Sequence, residues 1–128
     1  MYPQDHEASE TELTLAVQSA EPDRHMRSLR DWLSREDGIR GRLRLVDRPA
    51  RVGEMGGVLE FLAVTLGSGG AGALLVQSLS AWLGQRGTDV TVTVTGPDGR
   101  SVTIDVRRTQ DPIAVVREVE RLMAPPRD

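Results

Sequence analysis

The patterning of this chain predicts an α+β domain. It would hold a four-stranded mixed sheet in the order β-α-β, apolar helical hairpin, β-β-α, with helices mainly on one face. Three observations carry this. Leu13, Leu15 and Val17 alternate with Thr14, Ala16 and Gln18, the two-residue period of a strand buried on one face. Val90, Val92 and Val94 alternate with threonines, and Val102, Ile104 and Val106 repeat the pattern beyond Gly96-Pro97-Asp98-Gly99, which reads as a β-hairpin. Ile113, Val116, Val119, Leu122 and Met123 recur at helical spacing behind Asp111-Pro112. There the aspartate caps and the proline takes the first helical position, where no amide donor is needed.

The other elements follow in chain order. Residues 1–11, with Asp5, Glu7 and Glu10 and no arginine, read as a flexible acidic tail ahead of a single domain at 12–124. Residues 125–128 form a second tail. Glu21-Pro22-Asp23 is a turn, and Asp23 is the expected cap of a helix over 24–36 with Met26, Leu29, Trp32 and Leu33 on one side. Arg42 to Val46 reads as a strand, with Leu43 and Leu45 inward, Arg42 and Arg44 outward, and Pro49 closing it. The sheet's other face would then show Thr14, Ala16, Arg42, Arg44, Thr91, Thr93, Thr103 and Asp105. That surface lacks the aromatic side chains that base stacking needs.

Composition excludes several classes of function. At 128 residues the chain has the length of one domain able to bury a core. Without cysteine there is no disulfide framework, no thiolate zinc site and no thiol catalysis. A formal net charge of −3 argues against a dedicated nucleic-acid binder. All sixteen basic residues are arginine, a signature of GC-rich coding such as that of actinobacteria. The acidic start matches no signal peptide, so the expected compartment is the cytoplasm. The histidines are His6, in the tail, and His25, on a helix surface. Asp105 reads as a strand-face residue, Asp111 as a cap, and Glu118 and Glu120 as the exposed side of the last helix. Nucleophile elbows and metal-binding helix motifs are absent. No catalytic, cofactor or metal residue is assigned, and the chain reads as a non-enzyme.

The apolar, glycine-rich insert at 55–85 admits three readings, for between Glu60 and Arg86 it carries no charge. The first is structural: two short helices joined by the Gly67–Gly72 turn and packed on the sheet. The second is a membrane-associating module through residues 58–83, a stretch long enough to span a bilayer. A true span would leave each half of the domain too small for a core, so a shallow helical hairpin is the credible form. The third is nucleotide binding. Gly67-Ser68-Gly69-Gly70-Ala71-Gly72 satisfies G-x-G-x-x-G, with Phe61–Leu66 as the preceding strand and Ala73–Leu83 as the following helix. No acidic residue ends the next strand to meet a ribose, and no Lys-Ser or Lys-Thr follows the glycines.

The pieces taken together resemble a known family. Gly53-Glu54-Met55-Gly56, Leu66-Gly67-Ser68-Gly69-Gly70-Ala71, Ser78-Leu79 and Trp82-Leu83 are similar to the central signature of the effector-associated constant component proteins. Asp89 to Val94, Asp98-Gly99-Arg100 and Val102 to Arg107 are similar to that family's C-terminal hairpin, and Trp32-Leu33 fits its first helix. The resemblance spans about residues 12–123. It implies a non-enzymatic adaptor of bacterial conflict systems, encoded beside caspase-like or trypsin-like peptidase effectors and nucleotide-dependent regulators. It supplies no catalytic residues.

The expected function is therefore that of an adaptor binding a peptidase-like effector or its regulator, with self-association as a second mode of contact. Its candidate contact residues are Gly67, Ser68, Gly69, Gly70 and Gly72 of the glycine turn, with Arg42 and Arg44 of the sheet. No nucleic acid and no cofactor is expected, and a membrane surface is the alternative partner of the apolar segment.

Overall fold

The computed structural model describes residues 10–49, 58–67 and 70–124. Eight elements follow in chain order: β1 (Thr11–Gln18), α1 (Pro22–Leu33), β2 (Leu43–Pro49), β3 (Val58–Leu66), α2 (Ala71–Arg86), β4 (Thr91–Thr95), β5 (Ser101–Ile104) and α3 (Pro112–Met123). The sheet has five strands in the order β2-β3-β1-β4-β5. Every pairing is antiparallel. Two split β-α-β units therefore interleave: α1 joins parallel strands β1 and β2 across β3, and α2 joins β3 and β4 across β1. This is the ferredoxin-like arrangement, extended at one edge by β5 and α3.

Two expectations are corrected: the sheet has five strands and is antiparallel, not four and mixed. The difference is residues 58–66, expected in the first helix of an apolar hairpin and found as β3. An unbroken apolar run does not distinguish a helix from a strand paired on both sides. Here the pairing decides. Leu62, Val64 and Leu66 turn inward and are fully buried, while Phe61, Ala63 and Thr65 turn outward between β1 and β2.

Smaller differences have local causes. Helix α1 begins at Pro22 behind Glu21, which makes no side-chain cap bond, and ends at Leu33 rather than Glu36. Pro22 is tolerated there because the first helical amide needs no acceptor. β5 stops at Ile104 because Asp105 turns the chain, its Oδ1 accepting the Arg108 amide at 2.9 Å. Asp111 caps α3 as expected, accepting the Ala114 amide at 3.4 Å.

The inward sheet face and the three helices share one core. Register places Leu13 beside Val64, Leu15 between Leu62 and Val94, and Val92 between Val17 and Ile104. Against them lie Met26, Leu29 and Leu33 of α1, Leu75, Val76, Leu79, Trp82 and Leu83 of α2, and Val115, Val119 and Leu122 of α3. Each large apolar side chain buried this way stabilises the fold by about 1.5–3 kcal/mol before chain entropy is counted. Polar contacts set the helix spacing. The Trp32 indole N–H donates to the Ser78 carbonyl and hydroxyl, both at 3.0 Å, which satisfies a serine only 6% exposed.

The β4–β5 hairpin turns through Gly96–Arg100. The Gly99 amide donates to Gly96 O at 3.1 Å, the Gly96 amide to Arg100 O at 2.8 Å, and Gly99 sits at φ +93°. This three-residue connection needs a left-handed residue, which glycine supplies without strain. Asp98 locks the turn, accepting from the Arg100 amide at 3.2 Å and from Arg100 Nε at 2.6 Å. Gly96 itself packs against α3, since an added Cβ would lie 2.9 Å from the Leu122 carbonyl oxygen.

Gly96→Ala should therefore force α3 away from the hairpin and lower stability by about 1–3 kcal/mol in chemical denaturation. The Arg100 amide bond, with the guanidinium adding to it, holds the Asp98 carboxyl below the usual aspartate value. A lowered folded-state pKa means that this stabilisation is complete above the unfolded value and lost as pH falls through the folded one. A carbon-13 titration of the Asp98 carboxyl should give a midpoint below that of aspartate in an unstructured peptide.

Candidate functional site

All three helices lie on one face of the sheet, so the opposite face has no second layer among the described residues. Its rows follow from the register. One runs Ser101, Thr95, Thr14, Ala63, Arg44, and the next includes Thr103, Thr93 and Ala16, with Val46 opposite Phe61. Strand alternation sends these positions outward because their neighbours in the chain fill the core. The side chains of these rows are mostly small and uncharged. Thr93 Oγ1 donates to Gln18 Oε1 at 3.1 Å and lies 3.4 Å from Thr103 Oγ1, so part of the hydroxyl row is already satisfied within the sheet.

Arg42 and Arg44 lie outward as expected, at the β2 edge, but both are paired. Arg44 reaches Glu12 at 2.6 Å and Arg42 reaches Glu10 at 3.8 Å. These pairs join β2 to the β1 end over intervening β3, which is possible because Ala63 and Thr65 are small. Exposed pairs of this kind contribute about 0–1 kcal/mol each. Their larger effect is to neutralise the two arginines, which the fold holds as ion pairs.

The glycine residues do not form one group. Gly67 follows β3 beside Arg42, whose carbonyl accepts the Thr65 amide at 3.1 Å, and an added Cβ there meets no atom within 4 Å. Ser68 and Gly69 lie outside the described residues. Gly70 precedes α2 at φ +97°. Gly72 is buried inside α2, where an added Cβ would lie 3.1 Å from Met123 Sδ and 3.4 Å from Glu120 Cγ, so it sets the α2–α3 approach. Thus Gly67, Gly70, Arg42 and Arg44 are surface positions, and Gly72 is a packing residue.

The apolar insert is also redistributed. It forms a strand and a helix whose large apolar side chains, Leu75, Val76, Leu79, Trp82 and Leu83 among them, lie in the core, not a lipid-facing helical hairpin. Among the described residues no helix is long and apolar enough to cross a membrane. The strand–glycine–helix order that nucleotide binding would use is present, but both strands beside β3 run antiparallel to it. β4, the next strand, ends at Thr95 with no acid.

A polar cluster joins α1 to α2. The Trp82 indole N–H donates to Ser28 Oγ at 3.1 Å, Arg86 Nη2 donates to the same oxygen at 2.6 Å, and the Arg86 guanidinium stacks 5.2 Å above the Trp82 ring. The His25 ring meets Trp82 edge-on at 6.4 Å, with Nδ1 2.7 Å from Ser19 Oγ. No carboxylate completes this serine–histidine pair among the described residues, and the contacts serve to hold the two helices together. No cluster of three or more His, Asp or Glu able to hold a metal occurs among the described residues.

A ferredoxin-like sheet with helices on one face defines no function by itself. Residues 18–123 match the family of the Effector Associated Constant Component 1, and the chain belongs to that family. The name describes a component associated with effectors and is not that of an enzyme. No curated protein and no solved structure matches the chain.

Exposed Gly70 and half-buried Gly67 should separate by substitution. Gly70→Ala places a side chain at positive φ and costs about 1–2 kcal/mol in thermal denaturation. Gly67→Ala leaves the melting temperature unchanged, which makes it the clean probe of that loop in a binding assay.

Proposed function

We propose that the protein is a non-enzymatic coupling component of a bacterial conflict system, which binds a peptidase-like effector or its regulator by direct protein contact in the cytoplasm. The observation that carries this reading is the outer sheet face, which none of the three helices covers and on which Ala16 and the threonine rows are half-buried or exposed. A five-stranded sheet covered on one side by three helices and open on the other offers a flat surface that a partner can cover without rearrangement. Family membership supports the association with an effector. The ion pairs at Arg42 and Arg44 form the polar rim of the contact, and Gly67 follows the end of β3 beside that rim.

Affinity capture of the full chain from its native bacterium tests the reading. The intact protein should retain a peptidase-type effector or a nucleotide-dependent regulator, identified by mass spectrometry. Ala16→Arg, which places a large cation on the open face, should reduce retention about tenfold, a loss of about 1.4 kcal/mol, with an unchanged melting temperature. Equal retention by both proteins would place the contact elsewhere. A concentration-dependent dimer broken by the same substitution would make the face a self-association surface.

A further inference from the structure

The edge of the sheet farthest from Arg42 and Arg44 carries a second feature. β5 is the terminal strand, and between it and α3 runs an open cleft of about 520 Å³, within the range of ligand-binding clefts. Its two ends are closed by arginines. Arg108 pairs with Glu118 at one end, and at the other Arg100 Nη2 donates to the Arg121 carbonyl at 3.0 Å.

The free edge of β5 is defined by the hairpin. Gly96 and Arg100 form a hydrogen-bonded pair, so alternation along an antiparallel ladder makes Val94–Val102 and Val92–Ile104 the next bonded pairs. The N–H and C=O groups of Ser101 and Thr103 therefore point away from β4. Natural sheets blunt such an edge with charge, proline or a bulge. Ser101-Val102-Thr103-Ile104 carries no charge and no proline, and at four residues it is short.

The charge around this edge has an excess of one cation. Arg100, Arg108 and Arg121 line the cleft with Glu118, and Asp98 pairs with Arg100 beside it, in a chain whose net charge is −3. Arg108 is taken up by Glu118, and Arg100 Nε by Asp98. The Arg121 guanidinium has no ion pair among the described residues and is exposed.

We propose that this cleft takes an extended acidic segment of a partner protein, which adds to β5 as a sixth strand and sets a carboxylate against Arg121. Main-chain bonds to Ser101 and Thr103 supply the register, and Arg121 selects the charge. The proposal rests on the coupling reading only in assigning the segment to a partner protein. It uses a different surface from the open sheet face, as a component joining an effector to a regulator requires.

The test is selection of a phage-displayed library of random dodecapeptides against the full chain, followed by binding of the enriched peptides in solution. The expected peptides are rich in Asp and Glu, bind less tightly as salt rises, and protect the Ser101 and Thr103 amides from hydrogen exchange. Thr103→Pro removes an outward amide that the ladder does not use, and Arg121→Glu reverses the selecting charge. Each should weaken binding about tenfold or more at an unchanged melting temperature. The exchange readout on the unsubstituted chain stands even where the proline variant folds poorly. An absence of enrichment, peptides without acidic excess, or protection located elsewhere would overturn the proposal. So would a dimer of this chain through β5 that Thr103→Pro dissociates, since the edge would then belong to a second copy. Loss of effector retention in affinity capture would sink the coupling reading without altering these peptide results.

Discussion

Every other element of the fold is arranged around the double pairing of β1. Its first five residues pair with β3 and its last five with β4, the two ladders overlapping at Thr14 and Leu15. Leu15 accordingly sits between Leu62 and Val94, and its burial joins halves of the chain otherwise linked by α2. Because β3 and β4 both run antiparallel to β1, they run parallel to each other. α2 must then cross the sheet between them, which demands a long apolar helix over the centre. The uncharged composition of residues 61–85 is the consequence, since β3 is flanked on both sides and α2 lies between the sheet, α1 and α3.

This arrangement places every helix on one face and leaves the other to side chains that need no cover. Threonine and alanine suit that role, because β-branched and small residues tolerate a pleated, half-wet surface. Their size has a second effect. Low side chains on β3 let Arg42 and Arg44 reach over it to Glu10 and Glu12, so the face closes its own charges. What is left is a flat surface with little intrinsic chemistry, suited to contact. The fold alone carries no function, since ferredoxin-like sheets serve many. Family membership is what associates the chain with effectors.

Two surfaces on opposite parts of one sheet give the proposed coupling a physical basis. The open face and the β5–α3 cleft share β5, whose outward side chains belong to the face and whose terminal edge lines the cleft. The Asp98–Arg100 turn lies between them and positions Arg100 at the cleft mouth. A sheet transmits position without any change of conformation, so partners bound as proposed on the two surfaces would be held in fixed relation.

Short-range patterning was enough to locate the locally encoded elements. Alternating Leu13, Leu15 and Val17, the Val/Thr hairpin, and the Asp111-capped helix with its stripe are all dictated by neighbours within a few residues. The family was legible too, because its signature is an ordered set of short segments along the chain. Whether residues 58–66 were strand or helix was settled only by the assembled sheet, since an apolar run satisfies either until its partners on both sides are known. The state of Arg42 and Arg44 was settled there as well. Their partners are remote in sequence, 32 residues away for Arg44, and meet them only across β3, so alternation read two outward cations where the fold holds two ion pairs. The same holds for Gly72, assigned to a surface turn and found between two helices, and for the cleft at β5, whose walls are brought together by packing that no local pattern records.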